Sequence, residues 1–478
     1  MANKQKDLHK AISGQWENIE RNLKNLLPAA NTASSPREPF LYGVSASAYQ
    51  TEGDDGTQGR GACVWDTFCE KRGAIYGGQN AKIAADHYHL YKQDVEMLAD
   101  LGVNAYRFSV SWSRILPEGT GRVNEKGIAF YSDLIDRLLA RGIQPVLTMY
   151  HWDLPETLSE RGGFRNREFV EWFANYAKIL AENFGDRVKF FITFNEPINS
   201  IHSSYYAGIF APGYRLSETQ ALKCLHHLLL AHAAAYRSIM QCTKDKNDVK
   251  IGIAMSTFEQ YPEKENKKCV AQARKTFFER EIATESVDTY LDPVYLGKYP
   301  ARFQEKYPEF MRYVTEEDLE KIKGTANVIC YNGYGGTPID ENGGEVGEKA
   351  GAERTAMGAS VDPRAIFWNC LFLQERYCLP VYITENGAAY EDALSIDGKV
   401  HDSYRANFLE THLRMVEEAV RRGVDIRGYF VWSLLDNFEW LFGYAKRFGL
   451  VYVDYETLKR IPKDSFYAYR EYIKNAKK

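Results

Sequence analysis

Two glutamates occupy places where acid–base chemistry on a sugar could be done. Glu196 lies in TFNEP (193–197) and Glu385 in YITENG (382–387), each directly after a short apolar run. Glycoside hydrolysis needs one carboxylic acid to protonate the leaving oxygen. It needs a second carboxylate to attack the anomeric carbon or to activate water. A separation of about 5 Å implies a covalent intermediate with retention, and roughly 6.5–9.5 Å implies inversion. Sequence spacing leaves that choice open.

Other polar and aromatic residues also sit at the ends of apolar runs. These are Gln50, Arg107, His151, Trp152, Asn195, Asn332, Tyr334, Asn386, Trp432, Glu439 and Trp440. Amides and an imidazole hydrogen-bond hydroxyls, and indoles offer flat apolar faces to a sugar ring. No GxGxxG, Walker A, HExxH or GxSxG pattern occurs to support another chemistry. His87 and His89 of DHYH lack supporting ligands and read as packing or surface groups. His226, His227 and His232 share one helical stretch and read as structural.

The elements that must position these residues are short apolar runs alternating with helical patterns. The strand-like runs are 40–46, 103–109, 144–150, 188–194, 250–255, 326–331, 380–384 and 426–432. Helical periodicity is clearest over 166–184 and 404–422. Eight strands separated by helices predict an α/β chain, a (β/α)8 TIM barrel, with doubly wound sheets as the alternative. In such a barrel, groups just past the C-terminal strand ends build the active site. The fourth and seventh strands then face each other, which aims Glu196 and Glu385 at one sugar. Insertions at 257–325 and 333–370 read as loops and extra helices, and the Gly-rich run 341–352 as a flexible surface loop.

The first 39 residues differ. Ile12, Trp16, Ile19, Leu23 and Leu26 form one face of an amphipathic helix, followed by a linker. The predicted organisation is therefore 1–39 as helix and linker and 40–478 as the barrel. That helix docks on the body or contacts another copy in a homo-oligomer.

Composition narrows the class. The 478 residues are 45% hydrophobic, 26% charged and 14% aromatic, with a net charge of −4. This is ordinary globular usage without the basic field that nucleic acid requires. The eight cysteines form no CxxC pair and read as small buried hydrophobes of a reducing compartment. No apolar stretch approaches the length of a membrane span, and no secretory leader is evident. The expected setting is cytoplasmic.

From about Phe40 to the C-terminus the chain resembles glycoside hydrolase family 1, the β-glucosidase family. The resemblance rests on FLYGVSASAYQTEG (40–53), YRFSVSWSRILPEG (106–119), HWDLPETL (151–158) and TFNEP (193–197), followed by YITENG (382–387), WSLLDNFEW (432–440) and RFGLVYVDY (447–455). It implies retention, with Glu196 as general acid/base and Glu385 as nucleophile. Tyr334, Arg107 and Asn332 would accompany the catalytic pair. Gln50, His151, Asn195, Glu439 and Trp440 match positions that hold the glycosyl unit, Trp432 floors it, and Trp152 and Phe448 complete the binding set. No metal or organic cofactor is implied.

The chain departs from the family pattern in three places. NVICYNGY (327–334) has Cys330 for a Gly and Gly333 for the first Tyr, Ala359 of MGAS (357–360) replaces a common Trp, and Ile198 follows NEP where Trp is frequent. Glu439 disfavours 6-phosphoglycosides, and Glu196 disfavours thioglucosides, whose enzymes usually carry Gln there. A small-molecule β-glucoside is the expected substrate. β-Galactosides, β-fucosides and transglycosylation are the alternatives on the same scaffold, and a weakly catalytic carbohydrate-binding protein is a more distant one.

Overall fold

The computed structural model describes residues 39–243, 246–348 and 350–477. Eight parallel strands close into a barrel: β1 (Leu41–Ser45), β2 (Ala105–Ser109), β3 (Gln144–Tyr150), β4 (Phe190–Asn195), β5 (Lys250–Ser256), β6 (Ile329–Asn332), β7 (Val381–Asn386) and β8 (Ile426–Trp432). Each pairs with its neighbour in the chain, and β8 returns to β1 with Trp432 opposite Ser45. All eight expected runs are strands, displaced by at most three residues at either end.

These runs become strands because both of their faces are covered. β4 (FFITFN) is buried at every position, as parallel strands under helices require. Leu41, Ala105, Val146, Phe190, Ile192, Cys330, Tyr382 and Phe430 plug the barrel interior. The alternate residues pack outward against helices α1 (His87–Leu101), α2 (Glu125–Ala140), α3 (Phe169–Phe184), α4 (Glu218–Cys242), α5 (Val287–Leu296), α6 (Arg364–Tyr377), α7 (Ser403–Arg421) and α8 (Asp464–Ala476). Local signals set the helix ends. Asn124 caps α2 by accepting from the Lys126 N–H, Ser217 and Gln220 form a capping box on α4, and Gly102 closes α1 at φ 82°.

The insertion after β5 holds further short helices, as expected, and the Gly-rich run lies at the surface. Two small sheets were not foreseen: Gln260–Pro262 beside Thr337–Ile339, and Val451–Val453 beside Arg460–Pro462. Each strand is three residues long, too short for an alternating pattern to register. The cysteine expectation needs correction. Cys378 is exposed at the C-terminal end of α6, and Cys69 and Cys242 are half-buried. The histidine stretch is structural: His226 lies between Tyr299 and Asp318, His227 between the Phe164 carbonyl and Tyr313, and His232 against Thr193. The expected N-terminal helix falls outside the described residues.

Candidate active site

At the C-terminal rim of the barrel lies a cavity of about 240 Å³, lined among others by His151, Asn195, Glu196, Glu385, Trp432 and Glu439. Trp152, Tyr334, Trp440 and Phe448 also line it. Arg107, Asn332 and Gln50 stand behind this lining.

β4 shows how sequence places a side chain here. Phe190 and Ile192 point inward, but Thr193 and Phe194 both face the helices, with Thr193 on His232 and Phe194 stacked on Phe173 at 4.4 Å. A register shift between Ile192 and Asn195 in the pairing with β5 restores Asn195 to the interior. Glu196 follows with φ 43°, held by its N–H to the Ala254 carbonyl at 2.7 Å. Trp152 and Trp440 also adopt positive φ, 75° and 46°. Such backbone costs on the order of 1–3 kcal/mol per residue and persists where surrounding contacts enforce it.

The two carboxylates are joined through shared donors. Arg107 is fully buried on β2, and its guanidinium pairs with Glu385 Oε1, donates to Asn195 Oδ1 at 2.6 Å and to Thr148 Oγ1 at 3.1 Å. The Tyr334 hydroxyl donates to Glu385 Oε2. Asn332 Nδ2 donates to Glu196 Oε1 at 2.8 Å and to Asn195 Oδ1 at 3.0 Å. Asn199 Nδ2 donates to Glu196 Oε2 at 2.6 Å. Asn199 was absent from the sequence expectation, although an amide three residues after a glutamate on a helical turn is within its reach.

The carboxyls of the site lie in different electrostatic surroundings. Burial, then the charge of Glu385, pushes Glu196 up to about 7. Burial, then the same carboxylates, pushes Glu439 up to about 8, and its Oε2 has no partner among the described residues. Burial, then the Arg107 charge, pushes the His151 pKa down, so the imidazole is neutral. Because Arg107 fixes the Asn195 amide with its oxygen inward, Asn195 Nδ2 meets His151 Nε2 at 3.0 Å. The proton therefore resides on His151 Nδ1, a buried donor with no partner among the described residues.

An aromatic wall completes the site. His151 stacks between Trp432 and Trp440 at 5.8 and 6.0 Å, and Trp440 lies parallel to Tyr49. Trp152 is fixed by its indole N–H to the Asn195 carbonyl. Gln50 braces the segment that carries Glu439: its Nε2 donates to Asn437 Oδ1 at 3.0 Å and to the Phe438 carbonyl at 2.9 Å. Phe210, Met357, Leu441 and Phe442, none anticipated, line the cavity as well. Phe210 and Met357 come from loops, and Leu441 and Phe442 from a single 3-10 turn, Trp440–Phe442, stretches too short or irregular for a period to read.

Comparison with known proteins agrees with this architecture. Beta-glucosidase A of Thermotoga maritima is 44% identical over 445 residues, covering 92% of this chain and 97% of that protein. The 1,4-beta-D-glucan glucohydrolase of Thermotoga neapolitana is 43% identical over 443 residues, covering 92% and 98%. The solved beta-glucosidase from Thermotoga maritima in complex with glucoimidazole superposes with a TM-score of 0.84 at 42% identity, covering 92% of this chain and 98% of that one. The profile described as Glycosyl hydrolase family 1 matches residues 33–478. On sequence and on fold alike, this chain belongs to glycosyl hydrolase family 1.

Proposed function

We propose that this chain is a retaining β-glucosidase that removes the terminal non-reducing β-D-glucosyl unit of small glucosides by double displacement. Glu385 attacks the anomeric carbon while Glu196 gives its proton to the leaving oxygen, and a glycosyl ester forms on Glu385. Glu196, now a carboxylate, takes a proton from water, whose oxygen attacks the anomeric carbon, breaks its bond to the Glu385 oxygen and releases glucose of β configuration with Glu385 again a carboxylate. One observation carries the reading: two buried carboxyls share the Arg107–Asn195–Asn332 network at a barrel rim, one paired with a cation and the other raised to about 7. Esterification removes the charge that helps hold the proton on Glu196, so the same group can serve as acid and then as base. His151 Nδ1 and Glu439 Oε2, buried without partners among the described residues, are the groups that hydroxyls would satisfy.

Nitrophenol release from β-glucoside, β-galactoside, β-fucoside and 6-phospho-β-glucoside, compared by kcat/KM, tests this. The unphosphorylated glucoside should lead. The phosphorylated one should trail, because its dianion would be buried beside Glu385 and two further carboxyls. A phosphorylated winner, or no turnover of any substrate, overturns the proposal.

A further inference from the structure

One half-buried carboxylate close to this site is left unused by the mechanism. Glu259 follows β5, three residues beyond Ser256, and faces the segment that leaves β6. That segment reads Asn332-Gly333-Tyr334-Gly335-Gly336, so Tyr334 is flanked by glycines whose backbone conformation is weakly restrained. What holds it is visible in its backbone donors. The Gly333 N–H goes to the Glu385 carbonyl at 2.9 Å. The Tyr334 N–H goes to Glu259 Oε1, and the Gly335 N–H reaches both oxygens of the same carboxylate at 3.3 Å. The Thr337 N–H goes to the Glu259 carbonyl at 2.9 Å. Two donors of the segment and the N–H of Thr337 that follows it thus converge on one residue, and the Tyr331 hydroxyl bonds its carboxyl as well.

We infer that Glu259 is a positioning residue for the reaction: by taking the Tyr334 and Gly335 N–H groups it holds the phenol that donates to Glu385. The inference rests on the nucleophile role proposed for Glu385. Glu385 has two side-chain partners, Arg107 on rigid β2 and Tyr334 on the glycine-rich segment. Release of that segment would leave one carboxylate oxygen without its donor and free to rotate away from the anomeric carbon. Burial of the Glu259 carboxyl pushes it up to about 8, so Gln is a near match for its neutral form and keeps an acceptor oxygen.

The experiment is a double-mutant cycle on nitrophenyl β-glucoside. Glu259→Met, similar in length but lacking a strong acceptor, and Glu259→Gln are each made in the native and Tyr334→Phe backgrounds, with thermal midpoints recorded. In the native background Glu259→Met should lower kcat about tenfold or more, with KM changed less. It should also move the acidic limb of the pH–kcat/KM profile upward, as Tyr334→Phe should. Glu259→Gln should stay within about threefold of the native enzyme. In the Tyr334→Phe background Glu259→Met should cost nothing further. Glu259→Asp, which withdraws the carboxylate by one methylene, repeats the cycle with less risk to folding. Equal losses in both backgrounds, or a native-like Glu259→Met, overturn the inference while leaving the β-glucosidase reading intact. A native chain that leaves the glucoside uncleaved overturns both.

Discussion

At the scale of single residues, the site depends on two chemically identical side chains behaving differently at one pH. Glu385 is paired with Arg107 and Tyr334, whereas Glu196 faces two amide donors and the charge of Glu385. Removal of either carboxylate should therefore fail in a distinguishable way. Glu385→Ala and Glu196→Ala should each lower kcat/KM on an unactivated glucoside by at least about 10³-fold. Added azide should give the α-glucosyl azide from Glu385→Ala, by a single inversion. It should give the β-glucosyl azide from Glu196→Ala, by attack on the glycosyl ester. Product stereochemistry read by NMR checks both, and near-native turnover in either variant would refute the assignment. The coupling makes a further prediction with a definite sign. In the proposed mechanism Glu196 must carry its proton to act as acid, so kcat/KM should fall as pH rises through about 7. Neutralising its neighbour in Glu385→Gln removes a negative charge, so the Glu196 pKa should drop. Titration of Glu196 in that variant by carbon-detected NMR would show an unchanged value if the charges were not coupled.

At the scale of elements, the active site is a property of strand ends meeting. Gly387, just past β7, has no room for a side chain: a Cβ there would lie 1.9 Å from the Trp432 carbonyl at the end of β8. Gly387→Ala must push apart the two strand ends that carry Glu385 and Trp432. It should lower kcat/KM at least about tenfold and the thermal midpoint by several degrees, measured by kinetics and calorimetry on the same preparation. An unperturbed variant would mean that the rim yields more easily than its packing indicates. Strand-level features of this kind were largely legible in the sequence, because parallel strands buried on both faces produce runs such as QPVLTMY and FFITFN that few other elements produce. Side chains following those runs, Glu196, Glu385 and Tyr334 among them, could be named because the barrel rule converts chain position into spatial position. Asn199, Glu259 and Phe442 could not. Asn199 needed the helical turn after β4, Glu259 needed the meeting of two insertions after β5 and β6, and Phe442 ends a single 3-10 turn, Trp440–Phe442, too short for a period to register. The β4 register shift was equally invisible, since its phase change appears only against β5.

At the scale of the whole molecule, a buried charge network closes the C-terminal quarter of the chain onto the barrel. Lys463, at the start of α8, places its ammonium 2.5 Å from Asp392 and 2.7 Å from Asp436. Arg405 on α7 pairs with Asp392 and Asp402, Arg447 pairs with Asp436, and Asp402 receives the Ser465 N–H at 2.8 Å. Three cations thus meet three carboxylates contributed by the loop after β7, by α7, by the segment after β8 and by α8. Apart from Arg405 with Asp402, an i,i+3 pair at the start of α7, these pairings do not follow from residue spacing: Lys463 and Asp392 are 71 positions apart. Breaking a buried pair strands the partner charge, which is costlier than the pair itself is stabilising. Lys463→Met leaves Asp392 and Asp436 each short of a cation and should destabilise the fold by about 3–5 kcal/mol, read as a lowered urea midpoint. Lys178→Ala is the control. Its partner Glu182 is four residues along the exposed face of α3, 3.7 Å away, with both side chains more than half in water, and the change should cost less than about 0.5 kcal/mol. Equal effects would mean that the network is solvated in solution. The predicted contrast would instead mean that α8 is fastened to the rim by the segments that run up to Trp440 and Phe448, so that stability of the last helix and integrity of the sugar pocket are linked.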